Sequence, residues 1–112
     1  VQGRTDAAAA DLLRQARAIE AAGAFGLVLE CVPADVAHEI TATLSIPVIG
    51  IGAGPHTDGQ VLVFHDLLGL NPGFSPKFVR QFDDGNKTVG DGLASFAASV
   101  ADGSFPSKNE SY

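Results

Sequence analysis

Between Asp6 and Ala22 the apolar residues Ala9, Leu12, Leu13, Ala16 and Ile19 recur at helical spacing. This predicts an amphipathic helix with Asp6 as its N-cap and Gly23 as its stop. The next run, Phe25-Gly-Leu-Val-Leu-Glu30-Cys, is apolar until its end, the pattern of a parallel strand buried on both faces. Glu30 then closes that strand. Pro33 pre-sets the first turn of a second helix, Ala34 to Leu44, whose Val36, Ala37, Ile40 and Leu44 form one stripe. Ile46 to Ile51 reads as a second buried strand, and a glycine-rich loop from Gly52 to Gly59 leaves its C-terminal end. Val61 to Phe64 is a candidate third strand and Ser75 to Phe82 a short helix. Val89 to Ala101 is a last helix carrying Leu93, Phe96, Ala97 and Val100. Residues 103–112 read as a polar, loosely ordered tail.

Helix, strand, helix, strand with short connections implies parallel strands joined by right-handed crossovers. Two or three such strands make neither a closed barrel nor a comfortable open sheet. No repeat, low-complexity tract or linker divides the chain, so it is expected to be one structural unit belonging to something larger. The N-terminal Val-Gln-Gly-Arg-Thr-Asp has no initiator Met and no signal-peptide pattern, which fits a chain beginning within a longer protein.

Composition narrows the class. With 46% hydrophobic and 18% charged residues in 112, the chain belongs with globular domains and not with disordered ones. Seven Lys and Arg against 13 Asp and Glu leave a net charge of −6, so the basic footprint of nucleic-acid binding is missing. The apolar runs Phe25–Leu29 and Val61–Phe64 fall far short of the roughly 20 residues of a membrane helix. A single cysteine, Cys31, supplies neither an internal disulfide nor a zinc cluster and suits a reducing, cytoplasmic compartment.

Among residues that could carry chemistry, Glu30 stands out. A carboxylate ending an apolar strand is costly to desolvate unless it is partnered or opens into a cleft. In α/β folds that cleft is where ligands bind; the plainer alternative is a Glu that has reached solvent or pairs with an Arg. Gly50, Gly52 and Gly54 spell G-x-G-x-G, which is not the dinucleotide pattern. They allow close approach of a ligand or backbone, or simply a tight turn. His65 and Asp66, adjacent on an extended segment, would point to opposite faces and make a poor metal pair. His38 reads as a solvated helix residue and Cys31 as a buried structural thiol. Lys77 and Arg80, three apart on the short helix, either contact an anion or form a solvated face.

Taken together, Val1-Gln-Gly-Arg4, Leu27-Val-Leu-Glu-Cys-Val-Pro33, Ile46-Pro-Val-Ile-Gly-Ile-Gly-Ala-Gly54, Asp58-Gly-Gln-Val-Leu-Val63 and His65-Asp66 closely resemble the C-terminal part of the ketopantoate hydroxymethyltransferase family. The resemblance runs evenly from Val1 to Phe78 and returns at Phe105-Pro106 and the tail. It implies that residues 1–112 are the C-terminal portion, about the last three strands, of a (β/α)8 TIM barrel of the phosphoenolpyruvate/pyruvate superfamily, with 103–112 as tail. It further implies a homodecamer in the cytoplasm.

The implied reaction transfers a one-carbon unit from 5,10-methylenetetrahydrofolate to 3-methyl-2-oxobutanoate, giving 2-dehydropantoate in pantothenate biosynthesis, with Mg2+ chelated by the 2-oxo acid. The family's proton acceptor falls on Glu30, and Ile51 and Val63 fall on substrate-binding positions that line the pocket around the branched tail of the substrate. Removing a proton beside a carbonyl needs such a base in a dry cleft.

Two departures accompany the resemblance. A full barrel takes about 250 residues, and the family's metal-binding aspartates belong to the N-terminal half, with no counterpart here. The family's Glu-His-Ser-aromatic ending stands as Asn109-Glu-Ser-Tyr112. A catalytically incomplete fragment that binds or assembles is therefore the competing expectation, with another aldolase-type or phosphate-binding barrel behind it.

Overall fold

The computed structural model describes residues 1–71, 73–82 and 88–112. Helix α1 spans Asp6–Ala21 and is followed by strand β1, Leu27–Glu30, helix α2, Ala34–Thr43, and strand β2, Val48–Ile51. Then come a two-residue strand β3, Gly59–Gln60, a single turn α3, Phe64–Leu67, helix α4, Val89–Asp102, and a 3-10 turn at Lys108–Glu110. The three strands are parallel in the order β1-β2-β3. The α/β alternation with a parallel sheet is thus as the hydrophobic pattern predicts.

Helix α1 starts one residue earlier in its capping than expected. Thr5, not Asp6, is the N-cap, its hydroxyl accepting the Ala8 amide at 3.2 Å, and Asp6 lies in the first turn, where its charge suits the helix dipole. Gly23 follows the helix with φ +96°, the left-handed step that ends it. The α2 stripe is buried as expected: Val36, Ala37, Ile40 and Leu44 join Ala16, Leu29, Val32, Val48 and Ala53 in one core. Ile40 and Val48 are wholly enclosed, each worth about 1.5–3 kcal/mol of burial. This core covers only one face of the sheet.

The other face is open along β1, whereas on β2 Ile49 and Ile51 are half-buried and Ile51 packs against a second core. Alternation leaves Leu29 buried but Val28 59% exposed, with Phe25 just before the strand at 94%. The expectation of a strand buried on both faces therefore holds on one face only, because both packed helices lie on the same side of the sheet.

Two further expectations are corrected. The third strand is Gly59–Gln60, not Val61–Phe64; pairing continues only through the Val61 amide to the Gly50 carbonyl, and Phe64 already belongs to α3. Ser75–Phe82 is not a helix: the Phe82 amide donates to the Leu67 carbonyl, while Val79 and Phe82 sink into a second core with Leu62, Leu67, Leu68 and Phe105. Tertiary partners there replace helical ones. On α4 it is Phe96 and Val100 that pack against this second core, whereas Leu93 is 41% exposed and Ala97 is exposed too.

The tail is the largest correction. Residues 105–112 fold back over the 77–82 segment instead of hanging loose. Phe105 is buried among Phe82 and Phe96, with ring centroids 5.4 and 5.8 Å away. Arg80 grips Glu110 with two hydrogen bonds of 2.8 and 2.6 Å and donates a third, 3.0 Å, to the Ser104 carbonyl. Such a two-pronged guanidinium–carboxylate pair is the strong form of ion pair.

Burial pushes the Glu110 carboxyl up, but the hydrogen bonds from Arg80 and Ser107 and the Arg80 charge outweigh it and hold the group below the usual carboxylate range. A depressed pKa stabilises the folded state above the unfolded value, and that contribution is lost as pH falls through the folded one. The Ser107 amide, which donates to Glu110 at 2.7 Å, is therefore expected to titrate by NMR at a pH below the ordinary Glu value of about 4.3. Titration in the ordinary range would mean the pair is open in solution.

Candidate active site

Glu30 ends β1 at the C-terminal edge of the sheet, and its register partner is Ile51, the last residue of β2. Parallel neighbours lie about 4.8 Å apart, so the two predicted site residues are brought side by side. By alternation they share the open face with Val28 and Ile49. Val63 takes a different place: it is the N-cap of α3, beyond β3, and 53% exposed.

The Glu30 side chain is exposed, and among the described residues no hydrogen bond or ion pair engages its carboxylate. The pairing with an Arg that the sequence left open is not formed. Nor do these residues bury the carboxylate: Ile51 beside it packs against the second core, but Glu30 itself is left exposed.

The backbone around Glu30 is held tightly. Cys31 is the one non-glycine residue with positive φ, +54°, among the described residues. A non-glycine residue in that region costs about 1–2 kcal/mol and persists only where its surroundings dictate it. They do so here: the Cys31 amide donates to the Ile51 carbonyl at 2.9 Å, and its own carbonyl accepts from the Gln2 amide at 2.9 Å. Cys31 thus sits past the strand, half-buried and free, where it turns the chain just after Glu30.

The glycine-rich loop packs against the start of α2 and against Phe78. A Cβ on Gly54 would lie 2.4 Å from the Ala34 Cβ, and one on Gly52 would lie 2.9 Å from the Phe78 ring; both residues have positive φ, +77° and +64°. Of the two readings of these glycines, close backbone approach and tight turning, both are realised, and the approaching group is protein.

The sequence showed Asp58-Gly-Gln60 only as a recognisable block, and the geometry assigns it a task. The Asp58 carboxylate accepts the Val48 amide at 2.8 Å, where β2 begins. Gln60 reaches back to the Gly54 carbonyl at 2.9 Å and to the Thr57 hydroxyl at 3.0 Å. These residues brace the loop beside Glu30.

The remaining candidates disperse. His65 is exposed and Asp66 buried, on one helical turn and not on an extended segment. His38 is exposed as expected, with the His56 ring edge-on at 5.1 Å. Lys77 and Arg80 serve the tail, Lys77 donating to the Ser111 carbonyl. A cavity of about 520 Å3 lies between the starts of α1 and α2, lined by Arg4, Asp6, Asp35 and Glu39 among others; Glu30 does not line it, so the register of the strand ends, not the cavity, marks the candidate site. Among the described residues no group of three or more His, Cys, Asp and Glu side chains could hold a metal ion.

The sequence matches, over residues 1–108, a family model described as ketopantoate hydroxymethyltransferase. Proteins named 3-methyl-2-oxobutanoate hydroxymethyltransferase are similar to it throughout. That of Streptomyces coelicolor is 54% identical over 111 residues, covering 99% of this chain and 38% of that protein. That of Geobacter sulfurreducens is 52% identical over 112 residues, covering all of this chain and 42% of that protein. The Francisella tularensis (strain SCHU S4) protein is 50% identical over 112 residues with the same coverage. The chain thus spans about two fifths of the length of the relatives it matches.

Proposed function

The chain belongs to the ketopantoate hydroxymethyltransferase family, and from that premise we propose that the complete protein transfers a one-carbon unit from 5,10-methylenetetrahydrofolate to 3-methyl-2-oxobutanoate, giving 2-dehydropantoate. The observation that carries this reading is the match along the whole chain, with Glu30 at the end of β1 beside Ile51. Catalytic groups of barrel enzymes collect at such strand ends.

The fold reading goes with it. Three parallel strands with α1 and α2 on one face, and Val28, Ile49 and Ile51 on the other, are what a sector of a (β/α)8 barrel looks like. The open face is then the barrel interior, covered by strands outside this chain. A cytoplasmic homodecamer acting on small molecules completes the proposal. No helix among the described residues is long and apolar enough to cross a membrane.

In the reaction Glu30 is the general base. Its carboxylate takes the proton from C3 of the 2-oxo acid and the C–H electron pair moves into the enolate; C3 then bonds to the methylene carbon as that carbon's bonds to the folate nitrogens break, water supplying the hydroxyl and tetrahydrofolate leaving with the proton. A base of this kind works where water is excluded, which in this reading the rest of the barrel provides. The family resemblance also implies Mg2+. The described side chains of this chain do not make a site for it, so any such ion would be held by residues elsewhere in the complete protein, and the chemistry assigned to this chain rests on Glu30.

The direct test is formation of 2-dehydropantoate by the complete protein from 3-methyl-2-oxobutanoate and methylenetetrahydrofolate; no product would overturn the reading. Ile51 and Val63 are proposed to pack against the substrate's methyl groups. For Ile51, beside the base, truncation to Ala is expected to lower the preference for 3-methyl-2-oxobutanoate over 2-oxobutanoate by about 1–3 kcal/mol in kcat/KM. An unchanged preference would remove Ile51 from the pocket.

The competing reading, an incomplete unit, is favoured for the isolated 112-residue polypeptide by its bare apolar face. That polypeptide is expected to aggregate or to pair with the missing strands, and to show no transfer on its own. Turnover by it alone would contradict this.

A further inference from the structure

Helix α2 begins four residues after Glu30, and it lacks a conventional start. Its N-cap is Pro33, with no side-chain cap hydrogen bond, so the first amides of the helix need partners from elsewhere. The Val36 amide takes the neighbouring Asp35 carboxylate at 2.9 Å. The Ala34 amide instead donates, at 3.0 Å, to the main-chain carbonyl of Tyr112, the far end of the sequence.

That carbonyl is fixed in place by a chain of contacts. Lys77 donates to the adjoining Ser111 carbonyl and lies 5.2 Å over the Tyr112 ring. The buried Ser111 hydroxyl donates to the Ser107 carbonyl at 2.8 Å. Glu110 is held in two prongs by Arg80, itself 5.1 Å over the Phe105 ring. The place where a Gly54 Cβ would stand lies within 3.9 Å of the Ser111 Oγ as well as against Ala34. The tail therefore ends in the seam between the loop after β1 and the loop after β2.

We propose that residues 105–112 are a positioning strap for Glu30: the Tyr112 carbonyl is the cap that α2 does not encode locally, and Lys77, Arg80 and Glu110 are positioning residues that hold it there. The segment Glu30–Pro33 is pinned at its upstream end by the Cys31 bonds to Ile51 and Gln2 and at its downstream end by Ala34–Tyr112. Losing the downstream anchor leaves the Cys31 turn held from its upstream side alone, so that the Glu30 carboxylate ranges more widely about the strand end. The strap's effect on catalysis rests on the assignment of Glu30 as base; its effect on the loop does not.

The test uses the complete protein with Glu110→Ala and with the reversed pair Arg80→Glu/Glu110→Arg, reading Ala34 amide hydrogen exchange together with kcat and KM for 3-methyl-2-oxobutanoate. For Glu110→Ala, exchange at Ala34 should rise about five- to ten-fold and kcat fall about five-fold, as expected for loss of one such hydrogen bond. KM should change less than about two-fold, since substrate binding is not what a misplaced base loses first. The reversed pair should recover part of each loss, since it rebuilds the ion pair but not the Ser107 amide bond to position 110 or the bond from position 80 to the Ser104 carbonyl. Unchanged exchange at Ala34 would overturn the strap. Raised exchange with unchanged kcat would overturn the positioning role and leave a structural tie. Failure of the reversed pair to recover any part of either loss would show that the ion pair is not the link. If the unaltered protein does not act on the 2-oxo acid, the proposed function falls, and Ala34 exchange still decides the strap.

Discussion

Exchange of the C3 proton of 3-methyl-2-oxobutanoate is expected to slow by about 10²-fold or more when Glu30 is replaced by Gln in the complete protein, the range that loss of a positioned general base costs. The amide keeps the size and hydrogen-bonding capacity of the carboxylate but not its basicity. Because the Glu30 side chain is exposed in this chain and makes no hydrogen bond or ion pair among the described residues, the substitution breaks no contact that holds the fold, and the melting temperature should barely move. That combination separates a base from a structural carboxylate. Solvent isotope exchange into the 2-oxo acid, followed by NMR without folate, measures the step directly; an unchanged exchange rate would remove Glu30 from the chemistry.

The second large effect is on stability. Gly54→Ala is expected to destabilise the complete protein by about 2–5 kcal/mol, combining the left-handed penalty at φ +77° with overpacking against the start of α2. The clash involves the Ala34 Cβ at 2.4 Å and its Cα at 3.0 Å, and neither atom can swing aside as the tip of a long side chain would. Gly23→Ala is the natural control, since its φ is +96° but nothing lies within 4 Å of the added methyl. Only the backbone penalty, about 1–2 kcal/mol, should appear there. Urea unfolding of both variants measures the difference, and equal losses would show that Gly54 is not wedged against α2.

Much of this was legible along the chain because it depends on neighbours in sequence. The α2 stripe of Val36, Ala37, Ile40 and Leu44 is buried as its spacing predicts, and Glu30 ends its strand as the polarity change after Leu29 predicts. The cap of α1 lies one residue before the expected one for an equally local reason: Thr5 and Asp6 are both good caps, and the extended backbone at Thr5 decides between them. The motif blocks were informative enough to suggest the family, which the matches along the whole chain then showed.

What the tertiary structure alone decided are pairings between distant residues. Arg80 and Glu110, which read separately as a helix-surface cation and a loose-tail anion, meet because Arg80 lies over the Phe82 and Phe105 rings and the tail that follows Phe105 folds back across it. The segment at 75–82 is not helical because its backbone and apolar side chains find better partners in α3 and the tail, and no local pattern records a competition of that kind. Ile51 lies beside Glu30 through strand register, a relation between residues of two strands, while the task of Asp58 and Gln60 in bracing the loop appears only once that loop is closed. Sequence periodicity reports which face of an element is apolar; it carries no term for which remote carbonyl will satisfy an orphaned amide. For that reason the one contact tying Tyr112 to the turn after Glu30 could be seen only in three dimensions.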